Sequence, residues 1–278
     1  MPVKARGAGR VCVVGSLNID LAVRVRVHPG RGETVLGSSL ERGRGGKGAN
    51  QAIAAARAGA RTTLVGRVGE DGQGRDYRAT LQARGVGCDH VRTTAGEVTG
   101  HALITVDDGG ENSIVVIPGA NARLAPSDID RASASITDAD ILLLQLEIPE
   151  PTALHAARLA AAAGTRVLLN ASPWTAPCDA LLGLADLVVV NEHEDLLLAG
   201  RGRSVCVTLG AKGARWGEVM VAAPPIDPID TTGAGDAFAG TLAAALACGA
   251  DSRAALEAAV TAGAEACMWS GAQPASPC

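Results

Sequence analysis

Short apolar runs recur through the chain, each ending on glycine or a polar side chain. They are Val11-Cys12-Val13-Val14 before Gly15, Ile141 to Leu144 before Gln145, Val167-Leu168-Leu169 before Asn170, Leu187 to Val190 before Asn191, and Val205-Cys206-Val207 before Thr208. Runs this short and this uniformly apolar suit strands covered on both faces, which means a parallel sheet with helices on either side. The intervening segments supply those helices: 52–58, 77–83, 126–137, 151–163, 181–184, 241–248 and 252–269 carry alanine-rich or helix-periodic sequence, several of them closed by glycine. Further strands are read at 62–66 and, on an edge, at 219–223. The alternation predicts an α/β fold, a doubly wound and mostly parallel sheet flanked by helices, in one domain over 1–278. Ligands in such sheets bind beyond the carboxyl ends of the strands, where Glu147 follows one of the runs.

Other segments alternate instead of running apolar. From Ser16 to Val27 one face carries Asn18 and Asp20, which share a side because strand side chains repeat every two residues. Residues 33–40 read as a return strand. Residues 98–107 and 112–117 flank Asp108-Gly109-Gly110 as a hairpin. These pieces predict a small second sheet, inserted from about 16–43 and 97–118.

The stretch Asp230-Thr231-Thr232-Gly233-Ala234-Gly235-Asp236 leads into a helix that closes at Gly249. Free N–H groups and the positive end of the helix dipole converge at such a start, which suits an anion. Asp236 brings negative charge into the same place. A phosphate cradle alone gains nothing from it, whereas a site that takes a proton from a hydroxyl attacking a phosphoryl group needs it. A helix cap is the plainer reading of the same aspartate.

Composition removes several classes of function. Charged residues make up 19% and the net charge is -4, so there is no basic footprint for nucleic acid and no polybasic membrane patch. Aromatics at 2% leave little for base stacking. No apolar run reaches membrane-spanning length, and the basic N-terminus precedes no signal-like core. Cysteines 12, 88, 178, 206, 248, 267 and 278 form no C-x-x-C pair, which reads as free thiols in a cytoplasmic protein. Gly43, Gly45 and Gly48 satisfy G-x-G-x-x-G, with Glu70 and Asp71 downstream. The segment before them reads as an exposed strand, however, and Lys47 and Asn50 are polar where a dinucleotide fold packs helix on sheet. Gly48 after Lys47 also rules out a Walker A loop.

Gly45-Gly46-Lys47-Gly48-Ala49-Asn50-Gln51-Ala52 and Asp230 to Phe238 resemble the two signatures of the ribokinase-type carbohydrate kinase family. Gly15 to Asp20, Gln145-Leu146-Glu147, Asn191 to Glu194, Thr208-Leu209-Gly210 and Gly271-Ala272-Gln273-Pro274 match it in the same order, so the likeness spans nearly the whole chain. Gly32-Glu33-Thr34, Gly110 to Ile114 and Pro118 to Asn121 are similar to members that phosphorylate D-ribose. The resemblance implies ATP-dependent phosphorylation of a sugar hydroxyl, with Asp236 as general base and the N–H groups of Gly233, Ala234 and Gly235 as anion hole. It implies Asn18, Asp20, Gly46, Lys47, Asn50 and Glu147 around the sugar, and Thr208, Gly210, Gly213 and Gly235 around the nucleotide. Asn191 and Glu194 would organise magnesium and phosphate, Glu194 acting on Mg2+ through water. Asp230, with carbonyls at Thr232 and Gly271, would hold K+. The small sheet would be a lid over the sugar and a homodimer interface.

The chain departs from that family in three places. Only 195–207 connects Asn191 to Glu194 with Thr208, where relatives have an additional helix. The sequence closes at Cys278 where relatives carry one more. Val260 and Thr261 stand where relatives place a polar nucleotide contact. A kinase of a nucleoside or another sugar, and a catalytically silent sugar-binding protein, are the alternatives these departures leave.

Overall fold

A computed structural model describes residues 8–274; residues 1–7 and 275–278, and with them the region of Cys278, lie outside the described residues. β1 (Arg10–Val14), β2 (Asn18–Val25) and β3 (Gly37–Gly45) precede α1 (Lys47–Arg57), β4 (Arg61–Gly69), α2 (Gly72–Ala83) and β5 (Val86–Thr94). The hairpin β6 (Gly100–Val106) and β7 (Asn112–Ile117) follows, then α3 (Pro126–Arg131) and α4 (Ser133–Thr137). Next come β8 (Ile141–Leu144), α5 (Glu150–Ala163), β9 (Arg166–Asn170), α6 (Asp179–Leu184), β10 (Leu187–Asn191), α7 (Glu192–Leu198) and β11 (Val205–Thr208). The short strands β12 (Ala214–Trp216) and β13 (Val219–Val221) precede α8 (Ala234–Ala247) and α9 (Ser252–Ala266).

The main sheet has nine strands in the order β13-β12-β11-β10-β9-β8-β1-β4-β5. It is parallel from β5 to β11, and β12 and β13 add an antiparallel edge. Alternation along β1 divides the core in two. Val11 and Val13 face α1, α2, α8 and α9, through Ala52, Leu81, Leu242 and Leu256. Cys12 and Val14 face the other layer, through Ile129, Ile136, Ala156, Leu181 and Leu198. The doubly wound expectation therefore holds, with β1 between β4 and β8 at the point where the winding reverses.

The second sheet has four strands in the order β3-β2-β6-β7. Asn18 to Val25 of β2 pairs with Gly45 back to Gly37, so the return strand lies later than 33–40. Turn residues 30–33 form a tight loop ahead of it, closed by Glu33 N–H donating to the Gly30 carbonyl at 3.0 Å. α1 begins at Lys47 and not at Ala52, because Gly46 takes φ 86° as its N-cap and frees the chain to turn. A Cβ on Gly48 would come within 2.5 Å of the Gly15 carbonyl carbon, so the helix start lies directly on the β1–β2 turn. Close packing within the protein accounts for three of the glycines there, since a Cβ on Gly45 would meet Asp20, one on Gly46 the Leu17–Asn18 backbone, and one on Gly48 Gly15.

Other boundaries also shift. β5 was not anticipated, since its half-buried alternation lies in a polar segment. β12 is too short to carry a pattern. The segment 126–137 breaks at Ala132 into two short helices, and the last helix stops at Ala266. α7 starts on the Asn191-to-Glu194 motif itself and reaches into the short 195–207 connection as far as Leu198. It is fixed by a capping box in which Asn191 Oδ1 accepts from Glu194 N–H at 2.8 Å and Glu194 Oε2 accepts from Asn191 N–H at 2.9 Å.

Candidate active site

The carboxyl ends of β1, β8, β9, β10 and β11 open on one crevice, and α8 starts into it. A small cavity there, about 110 Å³, is lined by Lys47, Asn170, Ser172, Asn191, Glu194, Thr208, Gly233, Gly235 and Asp236. Gly233 is the N-cap of α8 at φ 81°, and a Cβ on it would stand 2.7 Å from Ala272 Cα. Only glycine fits that backbone and that approach. Gly235 differs, because a Cβ there would meet no protein atom within 4 Å. Glycine in a helical turn is less stable than alanine by up to about 1 kcal/mol. No packing within the protein requires it, and the position faces open space in the cavity wall.

Asp236 is 6% exposed. Its Oδ2 accepts from Asn50 Nδ2 and its Oδ1 from Gln51 Nε2, both at 2.9 Å. No side chain caps α8. The capping reading of Asp236 therefore does not describe this carboxylate, which is turned toward α1 and the cavity.

The sugar-side candidates converge on the same place. Asn18 is buried and its Oδ1 accepts from Asn121 Nδ2 at 2.8 Å, which orients its amide. Asp20 lies two residues along the same face of β2, opposite Gly43, as the alternation required. Glu147 Oε2 accepts from Ser16 Oγ at 2.5 Å and from the Lys47 N–H at 3.1 Å, tying the end of β8 to the start of α1. Burial first, then the charges of Glu147 and Asp236, push the Asp20 carboxyl up to about 7. Burial acts to lower Lys47, but the carboxylates of Asp236, Glu147 and Glu194 outweigh it and hold the ammonium above its ordinary range. One cation thus sits among three carboxylates, an arrangement suited to hydroxyl groups that both donate and accept.

A larger cavity of about 470 Å³ adjoins it across Thr208 and Gly235. Thr208, Gly210 and Gly213 line it, with Val260, Phe238, Ala223, Pro224, Pro225, Ile226 and Pro228. Val260 faces this cavity, while Thr261 lies on the other side of α9 and donates its hydroxyl to the Glu257 carbonyl at 2.9 Å. Asp230 links the loop before α8 to the C-terminal turn. Its Oδ1 accepts from Thr232 N–H at 2.9 Å and its Oδ2 from Gly271 N–H at 2.8 Å. Burial would raise this carboxyl, but the hydrogen bonds from Thr232 and Gly271 outweigh it and hold it low. Thr232 and Gly271, whose carbonyls were expected beside Asp230 around a monovalent cation, meet its carboxylate through their N–H groups. Glu194 is buried at the cavity wall, and its Oε2 is committed to the α7 cap. Among the described residues no cluster of three or more His, Cys, Asp or Glu is placed to hold a metal.

Comparison with known proteins decides the family. The model of the pfkB family carbohydrate kinase matches residues 8–277. The chain belongs to this family. It is similar to the ribokinase of Bacillus subtilis, 38% identical over 260 residues and covering 88% of each chain. It is also 36% identical over 261 residues to a bifunctional ribokinase/ribose-5-phosphate isomerase A of Fructilactobacillus sanfranciscensis, spanning 48% of that protein. Among solved structures, that of Arabidopsis thaliana ribokinase complexed with ribose and ATP superposes with a TM-score of 0.87 at 32% identity, over 95% of this chain and 94% of the other.

In this carbohydrate kinase three further polar side chains, Gln51, Gln145 and Gln273, join the site from inside the motifs quoted above. Gln51 and Gln145 are fully buried, and Gln145 Nε2 donates to Gln51 Oε1 at 2.8 Å. Gln273 Nε2 donates to Asn50 Oδ1 at 2.8 Å and to Tyr77 Oη at 2.6 Å. Asn121, Ser16 and Tyr77 likewise support site residues from outside the first layer of candidates. A polar side chain inside an otherwise apolar helix or strand end was the available signal.

Proposed function

We propose that this kinase transfers the γ-phosphoryl group of ATP to the 5-hydroxyl of D-ribose. The observation that carries the reading is the place of Asp236: a buried carboxylate at the first turn of α8, in the wall where the sugar-side cluster meets the cavity lined by Gly233 and Gly235. Asn18, Asp20, Gly46, Lys47, Asn50 and Glu147 hold the sugar, whose hydroxyls both donate and accept. Asp236 accepts the proton of the attacking hydroxyl. As its O–H bond breaks, the oxygen bonds to the γ-phosphorus, and the bond to the departing ADP oxygen breaks. The N–H groups of Gly233, Ala234 and Gly235 face the transferring phosphoryl group. Ala234 N–H donates to the Thr231 carbonyl at 3.3 Å, so that donor has to turn to meet the phosphoryl group.

Thr208, Gly210 and Gly213 cradle the nucleotide. Asn191 and Glu194 would act on Mg2+ through water, and that ion would supply neutralising charge on the phosphates. Asp230, with carbonyls of Thr232 and Gly271, would hold K+ and so order the loop before the anion hole. The four-stranded sheet closes over the sugar, and two copies pair through it. The support for pairing is its exposed apolar strand, with Ile114 at 51% and Val115 at 59% exposure. The free cysteines among the described residues suit a reducing cytoplasm. Incubation with ATP, magnesium and a panel of ribose, 2-deoxyribose, fructose, adenosine and cytidine, followed by ADP release, tests the reading. Ribose gives the highest kcat/KM. A nucleoside turned over better than ribose overturns it, and sugar binding without ADP release indicates a silent binder.

A further inference from the structure

We propose that Gln145 and Gln273 are positioning residues: each locks the amide of a neighbour, Gln51 or Asn50, so that both present N–H to Asp236 and hold it as an oriented base. The inference rests on the reading of Asp236 as the base. Two relays run into its carboxylate. In one, Gln145 Nε2 donates to Gln51 Oε1 at 2.8 Å, and Gln51 Nε2 donates to Asp236 Oδ1 at 2.9 Å. In the other, Gln273 Nε2 donates to Asn50 Oδ1 at 2.8 Å, and Asn50 Nδ2 donates to Asp236 Oδ2 at 2.9 Å.

An ionised carboxylate only accepts, so it fixes the direction of every amide behind it. A side-chain amide alone does not choose a direction, since turning it over exchanges donor and acceptor in nearly the same space. Gln51 turned over would aim Oε1 at Asp236 Oδ1, and the carboxylate could tolerate that only by taking up a proton. Gln145 prevents the turn by occupying Gln51 Oε1. The relay is held even though Gln145 Oε1 is then buried without a donor, against Gly15, where any Cβ would collide with it. Buried acceptors without donors are few in folded proteins, yet Gln145 keeps its Nε2 on Gln51 Oε1 while its own oxygen goes without a donor. Gln273 is itself anchored: its Oε1 accepts from Arg84 Nη1 at 3.3 Å, and it reaches Tyr77, whose hydroxyl donates to the Gly45 carbonyl at 2.6 Å. The second relay therefore joins α2 and the C-terminal turn to the base.

The charged groups around Asp236 are Lys47 on α1, Asp20 on β2, Glu147 after β8 and Glu194 on α7. The relays add uncharged donors to this set, aimed at the two oxygens separately.

The test compares the parent with Gln51→Met, Gln145→Met and the double variant. It follows kcat, sugar KM and the pH profile of kcat. It also follows the carboxyl carbon titration of Asp236, assigned by its absence in Asp236→Asn. In Gln145→Met the titration midpoint and the acid limb of kcat both move up by about one unit, as expected for weakening one hydrogen bond to a charged acceptor. Sugar KM changes by less than about threefold, the mark of an interaction that matters in the transition state and not in ground-state binding. The double variant is no slower than Gln51→Met, because Gln145 acts only through Gln51. Gln273→Met, at a partly exposed position, moves the same titration and serves if Gln145→Met does not fold. An unmoved midpoint in a folded variant, or losses that multiply in the double variant, overturns the proposal. If the parent transfers phosphate to no sugar, the kinase reading falls by itself and the titration still decides the relays.

Discussion

Replacing Asp236 by Asn tests the proposed base with a change whose consequences can be worked from its contacts. Each oxygen of the carboxylate accepts one buried N–H, from Asn50 and from Gln51, at 2.9 Å. An asparagine can accept from one of them; its own NH2 then faces the other. An unsatisfied buried donor costs about 1–3 kcal/mol. Removing one charge from the group with Asp20 and Glu147 relieves repulsion and offsets part of that. The net expected loss is about 1 kcal/mol, or roughly 2 °C in Tm for a chain of this size. The chemical loss is far larger, because general-base catalysis contributes about 10²–10⁴-fold. Sugar affinity falls much less, since Asn18, Asp20, Lys47, Asn50 and Glu147 remain. Thermal melts, steady-state ADP release and calorimetric sugar binding on one preparation separate these effects. A protein that melts near the parent and turns over within a few-fold of it would remove Asp236 from the mechanism.

Gly235→Ala should raise stability by up to about 1 kcal/mol, since its Cβ meets no protein atom. Turnover should fall because the methyl group enters the anion hole; a melt and a rate that both improve would refute the assignment. Asp20 titrates near 7 in the fold against 3.8 ordinarily, so its contribution to stability is present below 3.8 and lost as pH rises through about 7. The difference of about 3 units bounds the loss at roughly 4 kcal/mol, and partial exposure reduces it to about 2. Sugar-free Asp20→Asn should accordingly gain on the parent between about pH 4 and 7 and hold level above it in denaturant titrations, and parallel curves would exclude Asp20 as the source. The far end of the 470 Å³ cavity is lined by Ala223, Pro224, Pro225, Ile226, Pro228 and Val260. Three of these lack an N–H and none has a polar side chain to read a base. GTP and CTP should therefore serve within about tenfold of ATP in kcat/KM, whereas a site built to hydrogen-bond the base would discriminate by about 10⁴. Activity in potassium chloride should exceed that in tetramethylammonium chloride, and Asp230→Ala should abolish the difference; equal rates for the parent in both salts would refute a cation role for Asp230.

Residue order alone was enough to place the main sheet and the polar residues at its rim. Apolar runs that stop on Gly15, Gln145, Asn170, Asn191 and Thr208 can be buried only as parallel strands, and their polar ends can only line the crevice. Asp236 and its glycines stood out because a carboxylate in the first turn shares the helix start's N–H groups and dipole with any anion bound there. Local pattern could not place α1, whose start at Lys47 depends on Gly48 meeting Gly15 across the β1–β2 turn. Nor could it show β5, whose polar edge carries little periodicity, or α7, which a capping box starts in a short segment. The amides around Asp236 lay furthest from view. Gln51, Gln145 and Gln273 come from separate segments, and as residues each could equally donate or accept. Only the tertiary structure brings them to one acceptor-only carboxylate, and that charge, acting across the fold, gives each amide its direction.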